Sequence, residues 1–188
     1  MPYNIRFVST YPPRRCGVGT FSRDLADALE HFTGEVGHIR VAAIDKSNLP
    51  YAIPVDLVVS QYDPQSWRFA IKDIIARANE SPYPTVVLLQ HEYGLDPDSN
   101  GEDGQGTNFV DMAKALHQQG LTTFVYLHTV LDEPNPHQKK TLQDLANYSD
   151  GLVVTAESAI EILESETYGI DHLKLCLLYT SPSPRDRT

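Results

Sequence analysis

Residues 5–25 read Ile5-Arg6-Phe7-Val8-Ser9-Thr10-Tyr11-Pro12-Pro13-Arg14-Arg15-Cys16-Gly17-Val18-Gly19-Thr20-Phe21-Ser22-Arg23-Asp24-Leu25. Ile5 to Ser9 is a run of strand length. A Pro/Gly-rich segment, Tyr11 to Gly19, follows it. Phe21, Leu25, Leu29 and Phe32 then recur at helical spacing. The same alternation continues downstream. Further strands are expected at Ile39–Ile44, Pro54–Ser60, Thr85–Gln90, Thr122–Leu127 and Gly151–Thr155. Between them lie helical stripes: Trp67, Ile71, Ile74, Ile75 and Ala78, then Phe109, Met112, Ala113 and Leu116, then Leu142, Leu145 and Ala146 after Pro136. Ile160, Leu163 and Thr167 mark a last helix, with Gly169 as its expected cap. Val86-Val87-Leu88-Leu89 is continuously apolar, as in a strand covered on both faces. This order predicts an α/β domain with a doubly wound, Rossmann-like parallel sheet.

The chain has 188 residues, the size of one domain. Hydrophobic residues make up 41% and charged residues 21%, which favours a packed core over disorder. Fifteen Lys and Arg face 25 Asp and Glu, a net charge of −10. An acidic chain without a basic stripe is a poor partner for nucleic acid. No apolar run approaches the length of a membrane span, and the N-terminus shows no secretory pattern. Cys16 and Cys176 make no disulfide framework, so a reducing, cytoplasmic setting is expected.

The segment from Cys176 to Asp186, Cys-Leu-Leu-Tyr-Thr-Ser-Pro-Ser-Pro-Arg-Asp, resembles a translated sequencing adapter. The expected division is therefore a domain over 1–175 and a non-native, disordered tail over 176–188. On this expectation the natural chain continues beyond Leu175 in a longer protein.

Ligands of doubly wound sheets bind in the loops after the carboxyl ends of the strands. After the first strand, Gly17 and Gly19 allow close backbone approach, and a helix start offers unpaired N–H groups to phosphate. Arg14 and Arg15 add bidentate positive donors. A dinucleotide fingerprint is matched only in part. Gly17 and Gly19 fit, Asp45 ends the second strand, but Ser22 stands at the third glycine position. The fourth strand runs into Gln90-His91-Glu92-Tyr93-Gly94. Its His-Glu pair lacks the second His of a zinc helix. Asp96 to Gly106 reads as a mobile, solvated loop without the glutamate of a calcium loop. The fifth strand ends in Tyr126-Leu127-His128-Thr129-Val130, which sets His128 where the sheet meets the cleft. Asp132 and Glu133 suit a helix start, and Thr155 or Ser158 suits the cap of the last helix.

The first loop, the Gln90–Gly94 edge and Leu127-His128-Thr129-Val130, in this order, resemble the N-terminal domain of family 4 glycosyltransferases of the two-domain GT-B fold. The likeness covers about residues 3–175, and Pro12-Pro13-Arg14-Arg15-Cys16-Gly17 is its most specific element. It implies a retaining transferase that moves a sugar from a nucleotide-sugar donor to an acceptor, whether glycan, lipid or small molecule. It implies no metal and no cofactor. It implies a C-terminal domain of the same protein as partner, carrying most of the donor site. Under it Gly17 and Gly19 approach the donor diphosphate or transferred sugar, Arg14 and Arg15 contact anionic groups, and His128 is the catalytic-centre residue that bonds the sugar. His91 and Glu92 line the acceptor side. The resemblance singles out no nucleophile, and the fragment by itself is expected to be inactive. Two other functions fit the residues: a nucleotide-dependent oxidoreductase, from Gly17, Gly19 and Asp45, and a non-enzymatic sugar- or phosphate-binding module on the same fold.

Overall fold

The structure, a computed structural model, describes residues 2–32, 36–96 and 106–178, with Phe32 by its backbone only. Seven strands form one all-parallel sheet in the order β3-β2-β1-β4-β5-β6-β7. They are β1 (Tyr3–Ser9), β2 (Val36–Asp45), β3 (Val55–Ser60), β4 (Thr85–His91), β5 (Thr122–Leu127), β6 (Gly151–Val154) and β7 (Leu175–Leu177). The helices are α1 (Gly17–Phe32), α2 (Pro64–Glu80), α3 (Thr107–Gln118), α4 (Pro136–Tyr148) and α5 (Glu157–Glu164). The architecture is the doubly wound, Rossmann-like sheet that the alternating pattern predicts.

Strand alternation divides the core into two layers. Ile5 and Phe7 of β1 and Val41 and Ala43 of β2 pack against Ala26 of α1 on one face. Val8, Ala42, Val87, Leu89, Val125 and Leu152 point to the other, where α2, α3 and α4 supply Trp67, Phe109, Met112 and Leu142. The chain reverses direction across the sheet between β1 and β4, which are direct neighbours. That junction is the switch point where doubly wound sheets open a crevice at their carboxyl edge.

Helix starts follow local chemistry where a cap precedes proline. Asp63 accepts from the Gln65 amide ahead of Pro64, and Asn135 forms a reciprocal capping box with Gln138 ahead of Pro136. Asp132 and Glu133 thus lie before the first turn of α4. Neither Thr155 nor Ser158 caps α5. Ala156 holds that position without a side-chain bond. That helix stops at Glu164, short of Thr167, because Ser165 takes an extended backbone (ψ 170°) and its hydroxyl donates back to the Ile162 carbonyl at 2.7 Å. Gly169, at φ 63°, serves this following turn and bonds to the Ser165 carbonyl at 2.7 Å.

A seventh strand joins the six that the apolar runs predict. Leu175, Cys176 and Leu177 pair with Leu152, Val153 and Val154, so the sheet takes in the first two residues of the segment read as adapter. Leu178 follows, its amide donating to the Val154 carbonyl at 2.8 Å, and residues 179–188 lie outside the described residues, as do residues 97–105 of the expected mobile loop. Among the described residues no helix is long and apolar enough to cross a membrane.

Candidate functional site

Helix α1 begins at Gly17, ahead of the apolar spacing that starts at Phe21, so both glycines belong to its first turn. Neither has positive φ. Their value is room rather than backbone freedom, and the two differ. A Cβ on Gly17 would have nothing within 4 Å. A Cβ on Gly19 would sit 3.3 Å from the Thr10 carbonyl carbon and from the Tyr11 Cα. Gly19 therefore lets the helix seat against the loop, while Gly17 leaves an open approach to the helix start. The third fingerprint position is closed differently from a glycine. Ser22 is fully buried, and its hydroxyl lies 2.6 Å from that of Ser9 on β1.

Arg14 is half-buried, and its Nη1 donates to the Ile44 carbonyl at 2.9 Å, which anchors the guanidinium across the ends of β1 and β2. Arg15 beside it is exposed. The Cys16 thiol lies at the same helix start. Desolvation pushes its pKa up, but the Thr10 hydroxyl, the Gly19 and Val18 amides and the Arg14 charge outweigh this and hold it below the ordinary thiol value.

Asp45 is 3% exposed, and its Oδ2 accepts the Ser47 and Leu49 amides at 3.2 and 3.0 Å. Burial raises this carboxyl, but the amides prevail and its pKa is lowered. Its charge also helps, after desolvation, to push the Tyr51 phenol up to about 12. The turn between β2 and β3 thus occupies much of the carboxylate that a dinucleotide site would offer to ribose.

His128 follows β5 at the carboxyl edge. Its amide donates to the His91 carbonyl at 3.1 Å, and its Nε2 lies 2.8 Å from Gln90 Oε1. Phe21, one turn into α1, meets the imidazole edge to face at 5.2 Å and the Tyr126 ring at 4.6 Å. Burial lowers the His128 pKa to about 4, so the ring is neutral near pH 7. Beyond it a hollow of about 210 Å³ opens between the ends of β5 and β6 and the start of α5, lined also by Val130, Thr155 and Ser158.

His91 and Glu92 part company. Strand parity sends Glu92 to the edge, where its Oε2 accepts from the Thr129 hydroxyl at 2.6 Å. His91 shares the face of Val87 and Leu89. It is fully buried, edge-on to Tyr93 and Phe109 at 5.0 and 5.6 Å, and among the described residues neither ring nitrogen has a hydrogen-bond partner. It sits behind the edge, in the core, and desolvation drives its pKa down to about 3. The structure thus brings Gly17, Gly19, Arg14, Arg15, Glu92 and His128 to one edge and leaves His91 inside.

Three contributors had no individual role in the sequence reading: Phe21, Gln90 and Thr129, the last two lying within the two strand-end motifs quoted there. Only Gln90 carried a signal, as a polar residue closing an apolar strand. A separate hollow of about 270 Å³ lies at the opposite edge among Arg6, Arg40 and Arg77. Its charges are largely met from within, since Asp56 binds Arg6 and lies 3.5 Å from Arg77. Among the described residues no group of three or more His, Cys, Asp or Glu is placed to hold a metal ion. No family model matches the chain, and no curated protein matches it.

Proposed function

We propose that this domain is the acceptor-side half of a retaining glycosyltransferase and grips a sugar–phosphate ligand at the carboxyl edge of its sheet. The observation that carries the reading is that α1 has an open start at Gly17 and, one turn on, meets His128 through Phe21. Helix amides and the Arg14 and Arg15 guanidinium groups suit a phosphate. The neutral imidazole at the same carboxyl edge, which α1 reaches through Phe21, suits a sugar hydroxyl. In the transfer, charge grows on the departing nucleoside diphosphate, and fixed donors of this kind stabilise it without reorganising. Closure of a second domain over the edge would exclude water that otherwise hydrolyses the donor. By this reading the chain binds sugar nucleotides weakly and does not by itself transfer sugar.

The oxidoreductase reading is weaker, since Asp45 is bonded within its own turn and Ser22 is locked to Ser9. Calorimetric titration with UDP-glucose, GDP-mannose and NAD in separate arms tests the choice. The expected result is binding of a sugar nucleotide that Arg14→Gln weakens by about tenfold, as the loss of one charged hydrogen bond of about 1.4 kcal/mol implies. Binding of NAD alone overturns the reading.

A further inference from the structure

Gln90 is poorly accounted for by the fold. It lies in β4 beside Leu89 and opposite Tyr126 of β5, and none of its surface is exposed. A primary amide brings one acceptor oxygen and two donor N–H groups. Here Oε1 faces His128 Nε2 at 2.8 Å, while the buried amide Nε2 has no partner among the described residues. An aliphatic side chain would fill the same space without burying an unpaired amide donor, but it would take away the partner of the ring. The group that Gln90 serves is therefore the imidazole.

We propose that Gln90 is a positioning residue: it holds His128 in the tautomer protonated at Nε2, so that the ring presents Nδ1 to the cleft as an acceptor for a ligand hydroxyl rather than as a donor to an anion. The ring has little other freedom. Phe21 stands edge-on to it at 86°, Tyr126 packs against it at 4.8 Å, and its backbone is tied to His91. A neutral imidazole has one N–H, and Gln90 Oε1 accepts it. Among the described residues Nδ1 has no protein partner. The titratable neighbours leave the ring neutral. His91, on β4, is itself uncharged near pH 7, and the Glu92 carboxylate is engaged by Thr129. Tyr126, on β5, is an un-ionised phenol pushed up by burial. Helix α1 offers Phe21, and the α5 side of the hollow offers Ser158, Ala159 and Ile162, none of them charged. With the amide oxygen of Gln90, rather than its NH2 group, turned to the ring, the tautomer is Nε2–H. The hydroxyl ligand rests on the transferase reading.

The test is ¹⁵N NMR of histidine-labelled chain. In the wild type, His128 is expected as one tautomer, Nε2–H, from neutral pH down to about pH 5. Gln90→Leu is expected to fold with equal or higher thermal stability while His128 spreads over both tautomers. Gln90→Glu is expected to keep Nε2–H and to raise the His128 midpoint by about 1–3 pH units, the usual effect of an adjacent carboxylate. An Nδ1–H ring in the wild type, or an unchanged tautomer in Gln90→Leu, overturns the role of Gln90 whether or not Gln90→Glu folds. A second titration uses methyl glucoside in one arm and inorganic phosphate in the other. A His128 response to the glucoside supports the hydroxyl assignment. A response to phosphate alone overturns that assignment and the sugar reading, and leaves the tautomer result standing.

Discussion

Cys16 is the most chemically distinctive side chain at the edge. Its thiol lies at the start of α1, where the Thr10 hydroxyl, two backbone amides and Arg14 overcome the cost of burial. The sign is therefore toward thiolate, and alkylation should set in at lower pH than for an ordinary thiol. In a Cys176→Ser background, the rate of iodoacetamide labelling against pH should show a midpoint below 9.0, the ordinary value. Thr10→Val should move that midpoint upward. A midpoint at or above the ordinary value contradicts the arrangement. His91 shows how much single residues disclose in advance. Its burial was legible in principle, because Val87, Leu89 and His91 alternate onto one face. The contact of Phe21 with His128 was not, because no local pattern links a helix start to a strand end this distant in sequence.

At the scale of the element, the first turn of α1 separates two uses of glycine. Gly19→Ala places a methyl 3.3 Å from backbone atoms of Thr10 and Tyr11, which cannot swing aside. The expected loss is about 1–3 kcal/mol in denaturant unfolding. Gly17→Ala meets open space, so stability should hold or rise by about 0.5 kcal/mol while ligand binding falls. A Gly17→Ala variant that binds sugar nucleotide as well as the wild type would remove the open approach from the account. Strands of this sheet were legible because burial on both faces writes itself as apolar runs. Starts of α2 and α4 were legible from Asp63-Pro64 and Asn135-Pro136. The start of α5 was not, since Ala156 caps it without side-chain chemistry. Nor was β7, a three-residue strand fixed by pairing with β6 rather than by its own pattern.

For the whole molecule, pH acts through two buried imidazoles. His91 and His128 titrate at about 3 and about 4 in the fold, below the 6.5 of an unfolded histidine. Between pH 6.5 and 4 the unfolded chain therefore binds protons that the folded chain refuses. Stability is full above pH 6.5 and falls as pH drops, by up to about 1.4 kcal/mol per pH unit for each histidine. Asp45, depressed below 3.8, adds a loss of the same sign only at lower pH. Urea unfolding across this range should show the slope, and His91→Phe should roughly halve it above pH 4. The central claim is that α1's first turn and His128 face one ligand. The direct measurement is NMR titration of labelled chain with UDP-glucose and GDP-mannose, following the Gly17 amide and the His128 ring together. The account expects both signals to move with one dissociation constant for at least one of these ligands. Movement of one without the other, or of residues around Arg6 and Arg77 instead, would contradict it.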